Sequence, residues 1–193
     1  MRLSKFGYYA DFFISAALIA IFTGTALLQP LLQPSWTNVA VWVTYLAFGA
    51  LAWTFIEYLV HRWLYHSVPY FKDVHDAHHA EPNAHIGAPP VVCVVLIFAL
   101  FFAPLAPSNL MAASGLTTGI LTGYMAYMLM HHAAHAWSPE PGTWLYGARR
   151  HHALHHFRSE DCNFGITTSF WDHVFGTALR SRHKELRPNS TDA

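Results

Sequence analysis

Long runs of apolar residues, separated by short polar segments, dominate the first two thirds of the chain. Four runs are long enough to cross a membrane, and they form two pairs, each joined by a short polar turn: residues 12–32 and 39–60, then 90–106 and 110–130. An α-helix rises 1.5 Å per residue, so about 20 residues cover the roughly 30 Å hydrocarbon core. The pattern therefore predicts four transmembrane helices arranged as two hairpins.

The segments between and after these runs have a different character. Residues 61–89 and 131–193 are polar and rich in histidine, and we expect them to form a helical cap beside the membrane. The first run is not followed by an Ala-x-Ala cleavage site, so it is interpreted as a retained membrane helix and not as a signal peptide. The prediction is a single all-α integral membrane domain over residues 1–193.

Composition supports this prediction and excludes several kinds of protein. Apolar residues make up 53% of the chain and charged residues only 11%, against roughly 25% charged in soluble domains. Residues 82–139 contain no Asp, Glu, Lys or Arg, which excludes a soluble protein with buried helices because too few charges remain to solvate its surface. The formal net charge is zero, so no nucleic-acid partner is indicated.

The basic residues predict the orientation in the membrane. All 11 lie within residues 2–5, 62–72 and 149–187, and neither of the two hairpin turns contains one. Two hairpins place these segments on one face, which the positive-inside rule makes cytoplasmic. We therefore expect both termini and the cap on the cytoplasmic face, with the sequon Asn189-Ser190-Thr191 unglycosylated.

Histidine is the one abundant polar residue that remains to be explained. The chain has 15, and ten of them form four groups at or just beyond the predicted cytoplasmic ends of the membrane helices: His61 and His66; His75, His78 and His79; His131 and His135; His152, His155 and His156. A single interfacial histidine is usually a hydrogen-bonded surface group. Ten packed together without a ligand would leave buried imidazoles without partners, so metal binding is predicted.

The spacing of these histidines is typical of ligands on helices. Residues three and four apart share a helix face, so each triplet is expected to present its imidazoles together, and so is the pair His131 and His135. His61 and His66, five residues apart, lie about 140° apart on a straight helix and need a helix end, a bend or two different metals. Ten nitrogens suit two ions of four to six donors each, and imidazole suits iron, zinc, copper or nickel.

The order and spacing of these motifs resemble the membrane fatty acid hydroxylase and sterol desaturase superfamily. The resemblance runs from Glu57 to about Leu179. It rests on the segments 57–66, 75–79, 131–135 and 150–157, and on the closing segment 163–177. The four-residue gap between His61 and His66 is similar to that of the fatty acid 2-hydroxylases, whereas sterol desaturases tend to have three residues there.

The resemblance implies an O2-dependent hydroxylase that uses two iron ions and acts on a fatty acyl or similar lipid from the bilayer. Zinc is expected to occupy the sites in purified protein, because it outcompetes ferrous iron at nitrogen ligands. No His-Pro-Gly-Gly motif of a fused cytochrome b5 domain is present, so electrons are expected from a separate donor of the cytochrome b5 or ferredoxin type. A carotenoid or sterol hydroxylase or desaturase of the same superfamily remains an alternative, and hydroxylation is not separated from desaturation.

Two function classes outside this superfamily also remain open. A metal transporter would need a path of polar ligands through the spans, and a haem cytochrome would carry isolated histidine pairs within them. Glu57 is the one acidic residue within a predicted span. We expect Glu57, and less strongly Asp76 and Asp172, to accept the free ring N–H of metal-bound histidines; a carboxylate directed to the membrane interface is the alternative for Glu57.

Small residues on the fourth span complete the predictions. Gly115, Gly119, Gly123 and Ala126 recur at helical spacing. Such a stripe usually marks close packing of two helices, and an acyl-chain groove is the alternative.

Overall fold

The structure, a computed structural model, describes residues 1–32 and 36–179 of the chain. Its elements are helices α1 (Lys5–Leu32), α2 (Trp36–Leu59), α3 (Pro69–Ala80), α4 (Pro90–Ile97), α5 (Leu110–Ala136), α6 (Trp144–Phe157) and α7 (Phe170–Val174). A π-helical turn continues α2 over Val60–Tyr65, and a second continues α4 over Phe98–Phe102. Within the described ranges the only β-type pairing is an isolated bridge between Arg2 and Ile86, so the predicted all-α class is confirmed.

Among the residues that the structure describes, two helices have the length and composition to cross a membrane. They are Lys5–Leu28, of 24 residues, and Thr37–Tyr65, of 29 residues. Large apolar side chains project outward from both, including Phe13 with 74% and Leu51 with 70% of their surface exposed. Contiguous exposed apolar surface of this kind is what a lipid environment covers.

The second pair of predicted spans folds differently from the first. The run 90–106 forms the apolar helix Pro90–Phe102 of 13 residues, about 20 Å long at 1.5 Å per residue. This length is less than the roughly 30 Å hydrocarbon core. The run 110–130 belongs to α5, which continues to Ala136 and begins where the Asn109 side chain accepts a hydrogen bond from the N–H of Ala112 at 2.9 Å.

Helix α5 is the centre of the molecule, packing against α1, α2, α4 and α6. Ile120 and Leu121 at its middle are fully buried. Two neighbouring threonines, Thr117 and Thr118, are also buried and donate to the carbonyls four residues earlier at 2.8 and 2.7 Å. Their hydroxyls are thereby satisfied within the helix, as an apolar environment requires.

The glycine stripe of α5 lies against α2. A Cβ at Gly119 would stand 2.1 Å from the carbonyl oxygen of Leu46, and one at Gly115 would stand 2.4 Å from that of Trp42. A Cβ at Gly123 would stand 2.4 Å from the side chain of Trp53. The two helix backbones can approach this closely only because the side chains are absent, so the prediction of close helix packing is confirmed.

One acidic residue was missed because the first helix starts earlier than predicted. Since α1 begins at Lys5, it includes Asp11, which is buried and accepts a hydrogen bond from the Tyr124 hydroxyl at 2.5 Å. The expectation that Glu57 is the one acidic residue within a span is therefore wrong.

The cap consists of α3, α6, α7 and the loop 158–169, which leads from α6 to α7. Thr143 begins α6 by accepting a hydrogen bond from the N–H of Tyr146 at 3.2 Å. In the loop, Asn163 adopts a positive φ of 56°, which asparagine tolerates better than most residues, and its side chain donates to the His151 carbonyl at 3.1 Å. The contact of Asn163 holds the loop against α6, which carries one of the histidine triplets.

Candidate metal centre

The structure brings the ten histidines of the four motifs together as two groups of five. The first histidine group comprises His61, His66, His75, His79 and His155, and the second comprises His78, His131, His135, His152 and His156. Within each group, one ring nitrogen from every residue lies within 4.8 Å of all the others. Helices α3 and α6 contribute to both groups, whereas the π-helical turn contributes to the first alone and α5 to the second alone.

The π-helical turn resolves the difficulty posed by His61 and His66. Its hydrogen bonds join residues five apart, so residues at that spacing lie nearly above one another instead of on different sides. The two rings consequently lie 5.4 Å apart, centre to centre, and both belong to the first group. The sequence predicted a helix end, a bend or two different metals at this point. The chain instead forms one π-helical turn, and both histidines face the same group.

The two triplets do not each stay together as expected. Residues four apart are offset by about 40° around a helix, whereas residues three apart are offset by about 60° in the opposite sense. In α3, therefore, His75 and His79 face the first group while His78 faces the second. In α6, His152 and His156 face the second group while His155 faces the first.

Contacts between ring nitrogens give each group the geometry of a coordination shell. In the first group the Nε2 atom of His75 lies 3.1 Å from Nε2 of His61 and 3.0 Å from that of His79. In the second, Nε2 of His135 lies 3.2 Å from that of His131 and 3.0 Å from that of His152. Two nitrogens bound about 2.1 Å from one ion at a right angle lie about 3 Å apart.

Hydrogen bonding among the rings alone does not account for these contacts. The Nδ1 atom of His61 lies 2.5 Å from the carbonyl oxygen of Phe164, a contact that requires the proton on Nδ1. Its Nε2 then carries a lone pair, and the single Nε2–H of a neutral His75 cannot fully satisfy two neighbouring nitrogens. A cation at the centre accepts all of these lone pairs together.

Burial prepares the imidazoles for this role. Desolvation, reinforced by neighbouring imidazoles, lowers the pKa of His78 to about 3 and that of His135 to about 4. Desolvation also lowers the pKa of His155 to about 3, although its bond to a backbone carbonyl opposes the shift. Both ring nitrogens of His78 and of His156 lack a hydrogen-bond partner within the described part of the chain. Neutral rings with unshared nitrogens are the form that binds a metal, so the residues fit two ions.

Backbone carbonyls of the loop 158–169 are acceptors that sequence reasoning missed. The Nδ1–H of His61 donates to Phe164 at 2.5 Å, and the Nδ1–H of His155 donates to Cys162 at 2.8 Å. Such bonds fix a ligand's ring orientation and leave Nε2 directed at the ion. No side-chain signal marks a carbonyl acceptor, because every residue has one.

Glu57 is buried in the site, but its partners differ from those expected. Its Oε1 atom accepts hydrogen bonds from the backbone N–H groups of Ile166 and Thr167, at 3.0 and 2.7 Å. Its other oxygen has no hydrogen-bond partner within the described residues. The predicted contact with a histidine ring is therefore wrong: the carboxylate is used to hold the loop.

The other two acidic candidates also depart from expectation. Asp172 is fully buried and accepts from the N–H groups of Phe164 and Gly165, at 2.8 and 2.9 Å, as well as from the ring of His151 at 3.0 Å. Asp76 is exposed and accepts from Lys72 at 2.5 Å. The expectation of a contact with a histidine of the two groups is wrong for both, because Asp172 holds the loop and Asp76 points outward from α3.

The remaining histidines lie outside the two groups. His132 lies 3.2 Å from the hydroxyl of Tyr8, and His85 packs against the ring of Tyr8 at 4.8 Å between centres. His173 bonds the carbonyl of Ser169 at 2.8 Å. His183 lies outside the described residues.

Two cavities border the second group. The first is lined by Tyr8, His78, Pro82, Asn83, Ala84, His85, Ile86, His131, His132, His135 and Ala136. The second is lined by Pro82, Asn83, Ala134, His135, Arg149, His152, Ala153 and Phe157. Neither of these two cavities is lined by a residue of the first group. A small molecule bound in either cavity would therefore contact the second group.

Comparison with known proteins gives a consistent result. A model of the fatty acid hydroxylase family matches residues 46–177, a range that includes both histidine groups. The fatty acid 2-hydroxylase of Rattus norvegicus is 34% identical over 153 residues, covering 72% of this chain and 41% of the rat protein. The dihydroceramide fatty acyl 2-hydroxylase of Arabidopsis thaliana is 34% identical over 140 residues, covering 68% of this chain and 59% of the plant protein.

The fold itself is similar to a solved one. A structure of full-length scs7p, in which only the hydroxylase domain is visible, matches with a TM-score of 0.74 and 25% identity, covering 90% of this chain and 67% of that chain. The chain thus spans about two fifths of the length of the rat relative and about three fifths of the plant relative.

Proposed function

The chain belongs to the fatty acid hydroxylase family, and on that premise we propose that it hydroxylates the acyl chain of a lipid, using O2 and two iron ions. The two histidine groups carry the proposal, because each gathers five ring nitrogens within 4.8 Å. The names of the rat and plant relatives specify 2-hydroxylation, so carbon 2 of the acyl chain is the proposed position.

In this proposal the histidines, the metals and the surrounding helices have different roles. All ten histidines hold the metals, and their lowered pKa values keep those rings neutral and available at physiological pH. When bound, the two irons supply the redox chemistry that activates O2 and attacks an unactivated C–H bond. The surrounding helices α3, α5 and α6 fix the ligands and restrict access of bulk water.

The membrane arrangement belongs to the same proposal. We place both termini and the cap on the cytoplasmic face, with four spans in two hairpins, because the basic residues lie in the cap and at the start of α1. The short helix Pro90–Phe102 then forms the third span together with the residues that follow it up to α5. In this arrangement a lipid reaches the cap from the cytoplasmic leaflet, and a separate cytochrome b5-type or ferredoxin-type donor supplies electrons.

Lipid analysis tests the function directly. The chain is expressed in cells that lack 2-hydroxylated lipids, and total lipids are hydrolysed and examined by mass spectrometry. We expect fatty acids with a 16 Da gain and fragments typical of a hydroxyl on carbon 2. A matched culture that expresses His135→Ala is the control, because that residue is in the second group and borders both cavities.

Other outcomes would redirect the proposal. A 16 Da gain on a carotenoid or sterol would keep the chemistry and replace the substrate class, and a loss of 2 Da would indicate desaturation. Unchanged lipids, with an iron-loaded protein, a reduced donor and O2 all present, would contradict the proposed function.

A further inference from the structure

The two histidine groups differ in how the protein holds their rings. In the first group, the Nδ1 atoms of His61 and His155 donate to backbone carbonyls at 2.5 and 2.8 Å. The Nδ1 atom of His79 lies 3.4 Å from a carboxylate oxygen of Glu160, but it makes no hydrogen bond within the described residues. Two of the five ligands therefore donate a hydrogen bond to an acceptor behind the ring.

The second group lacks such support among the described residues. The Nδ1 atoms of His78, His152 and His156 are buried there without a hydrogen-bond partner. An imidazole that donates its other N–H is a more basic and better-oriented ligand than one that does not. The second group also borders both cavities, through which a competing ligand has access.

The carbonyls behind the first group are themselves fixed by two buried carboxylates. Asp172 accepts from the N–H groups of Phe164 and Gly165, and Glu57 accepts from those of the next two residues, Ile166 and Thr167. Four consecutive amides thus donate to two buried carboxyl groups. Each carboxyl group therefore affects the orientation of the histidine rings indirectly, by fixing the loop whose carbonyls they bond.

We propose that the two metal sites are inequivalent: the first histidine group retains its ion through the loop that Glu57 and Asp172 position, while the second group exchanges its ion readily. This inference rests on the metal centre of the proposed function, although it does not depend on the substrate. Glu57 and Asp172 are positioning residues for the first site alone. Loss of such outer contacts typically costs roughly 10- to 100-fold in metal affinity.

Metal release from the intact protein tests the inequivalence. Protein purified in detergent is loaded with two zinc ions per chain and mixed with an excess of a chromophoric chelator, whose change in absorbance on binding zinc follows the release. We expect two phases of one ion each, with rates that differ at least tenfold. His135→Ala should remove the fast phase, and His155→Ala should remove the slow phase.

The role of the carboxylates needs a separate comparison. Glu57→Gln and Asp172→Asn retain the size of the side chain and replace its carboxyl group with an amide, so the slow phase should accelerate roughly 10-fold or more while the fast phase keeps its rate. Asp76→Asn is the matched control, because Asp76 is exposed and bonds Lys72 instead of the loop. Its two rates should equal those of the unsubstituted chain.

The outcomes separate this inference from the proposed function. Two ions that leave in a single phase would overturn the inequivalence, and equal acceleration of both phases in Glu57→Gln and Asp172→Asn would overturn the positioning role. If either variant fails to fold, the phases of the unsubstituted chain and of the two histidine variants still decide the inequivalence. A protein that retains no metal after loading would instead contradict the proposed function.

Discussion

Burial lowers the pKa of individual imidazoles in this protein more than neighbouring charges do. His155 is fully buried, and His78 has 6% of its surface exposed. Removing water from a ring penalises its protonated form, and the neighbouring rings penalise it further. The consequence is a set of neutral nitrogen ligands, which bind metals, and not a set of acids and bases.

The lowered pKa values predict how the stability of the metal-free protein depends on pH. The pKa of His78 and that of His155 fall from 6.5 to about 3 in the folded state, so between these values the unfolded chain binds protons that the folded chain does not. The free energy of unfolding should therefore fall as pH decreases from about 6.5 towards 3, and this contribution should be constant above 6.5. Thermal unfolding in detergent across this range measures the effect.

A variant that lacks one titrating ring provides the control. His155→Asn removes one group from the balance, so its stability should depend less steeply on pH between 6.5 and 3. An identical slope in both proteins would argue against a depressed pKa at that position.

The division of the histidines into two groups predicts metal content residue by residue. His155 belongs to the first group and His78 to the second, so alanine at either position should impair one site and leave the ion of the other site bound. Metal analysis after gel filtration should give about one ion per chain for each variant, and both should lose hydroxylase activity. Two retained ions in either variant would reject that residue as a ligand.

At the level of elements, helix geometry decides which ligands meet. The pairs at four-residue spacing, 75 with 79, 131 with 135, and 152 with 156, each stay within one group. The third histidine of each triplet crosses to the other group, and this connects the two sites through α3 and α6. The π-helical turn adds the fifth ligand to the first group by bringing His66 over His61.

Shortening the π-helical turn to an α-helical one should keep His66 in the first group. Trp63 lies within the turn and has 55% of its surface exposed, so its deletion removes one residue of the wide turn at little cost in packing. The two histidines are then four residues apart in an α-helix and share one face, as 75 and 79 do. We expect both ions to bind with unchanged affinity, measured by metal titration.

Trp63→Ala is the matched control for this deletion. It removes the same side chain and keeps the spacing between His61 and His66. If the deletion weakens the binding of one ion and Trp63→Ala does not, the wide turn itself is required to position His66.

Close contact between α2 and α5 predicts a steric effect at Gly119. A Cβ there would meet the Leu46 carbonyl oxygen at 2.1 Å, so Gly119→Ala must push the two helices apart. We expect a loss of about 1–3 kcal/mol, typical of overpacking, seen as a lower midpoint of thermal unfolding in detergent.

Gly24 offers a control within another apolar helix. It lies in α1, and a Cβ added there has no heavy atom within 4 Å. Gly24→Ala should therefore leave the midpoint unchanged or raise it slightly, because alanine favours the helix. A comparable loss in both variants would show that the effect comes from something other than contact with α2.

At the scale of the whole molecule, the fold gathers residues that lie far apart in the sequence into one end of the helical bundle. The connection from α3 through α4 to α5 has few polar groups, and it returns the chain so that His131 and His135 lie beside His78. The loop that follows α6 then closes over His61 and His155. The candidate metal centre is therefore a property of the complete fold.

The proposed orientation predicts which exposed positions face the cytoplasm. Ser67 lies at the cap and Ser108 in the turn before α5, and both are exposed. In intact cells a membrane-impermeant maleimide should label Ser108→Cys and leave Ser67→Cys unlabelled until the cells are opened. The unsubstituted chain, with Cys93 and Cys162 as its thiols, gives the background. Labelling of Ser67→Cys in intact cells would show that the cap faces the outside, opposite to the proposed orientation.

The sequence alone determined the helical class, the apolar runs and the ten histidines, because hydrophobic periodicity and unusual composition are local properties. Tertiary structure decided how the histidines divide, how a π-helical turn brings His66 to His61, and that Glu57 and Asp172 hold a loop and not a ring. The physical reason is that these outcomes depend on backbone carbonyls and amides, which every residue carries. Only the folded chain selects which of them the buried rings and carboxylates meet.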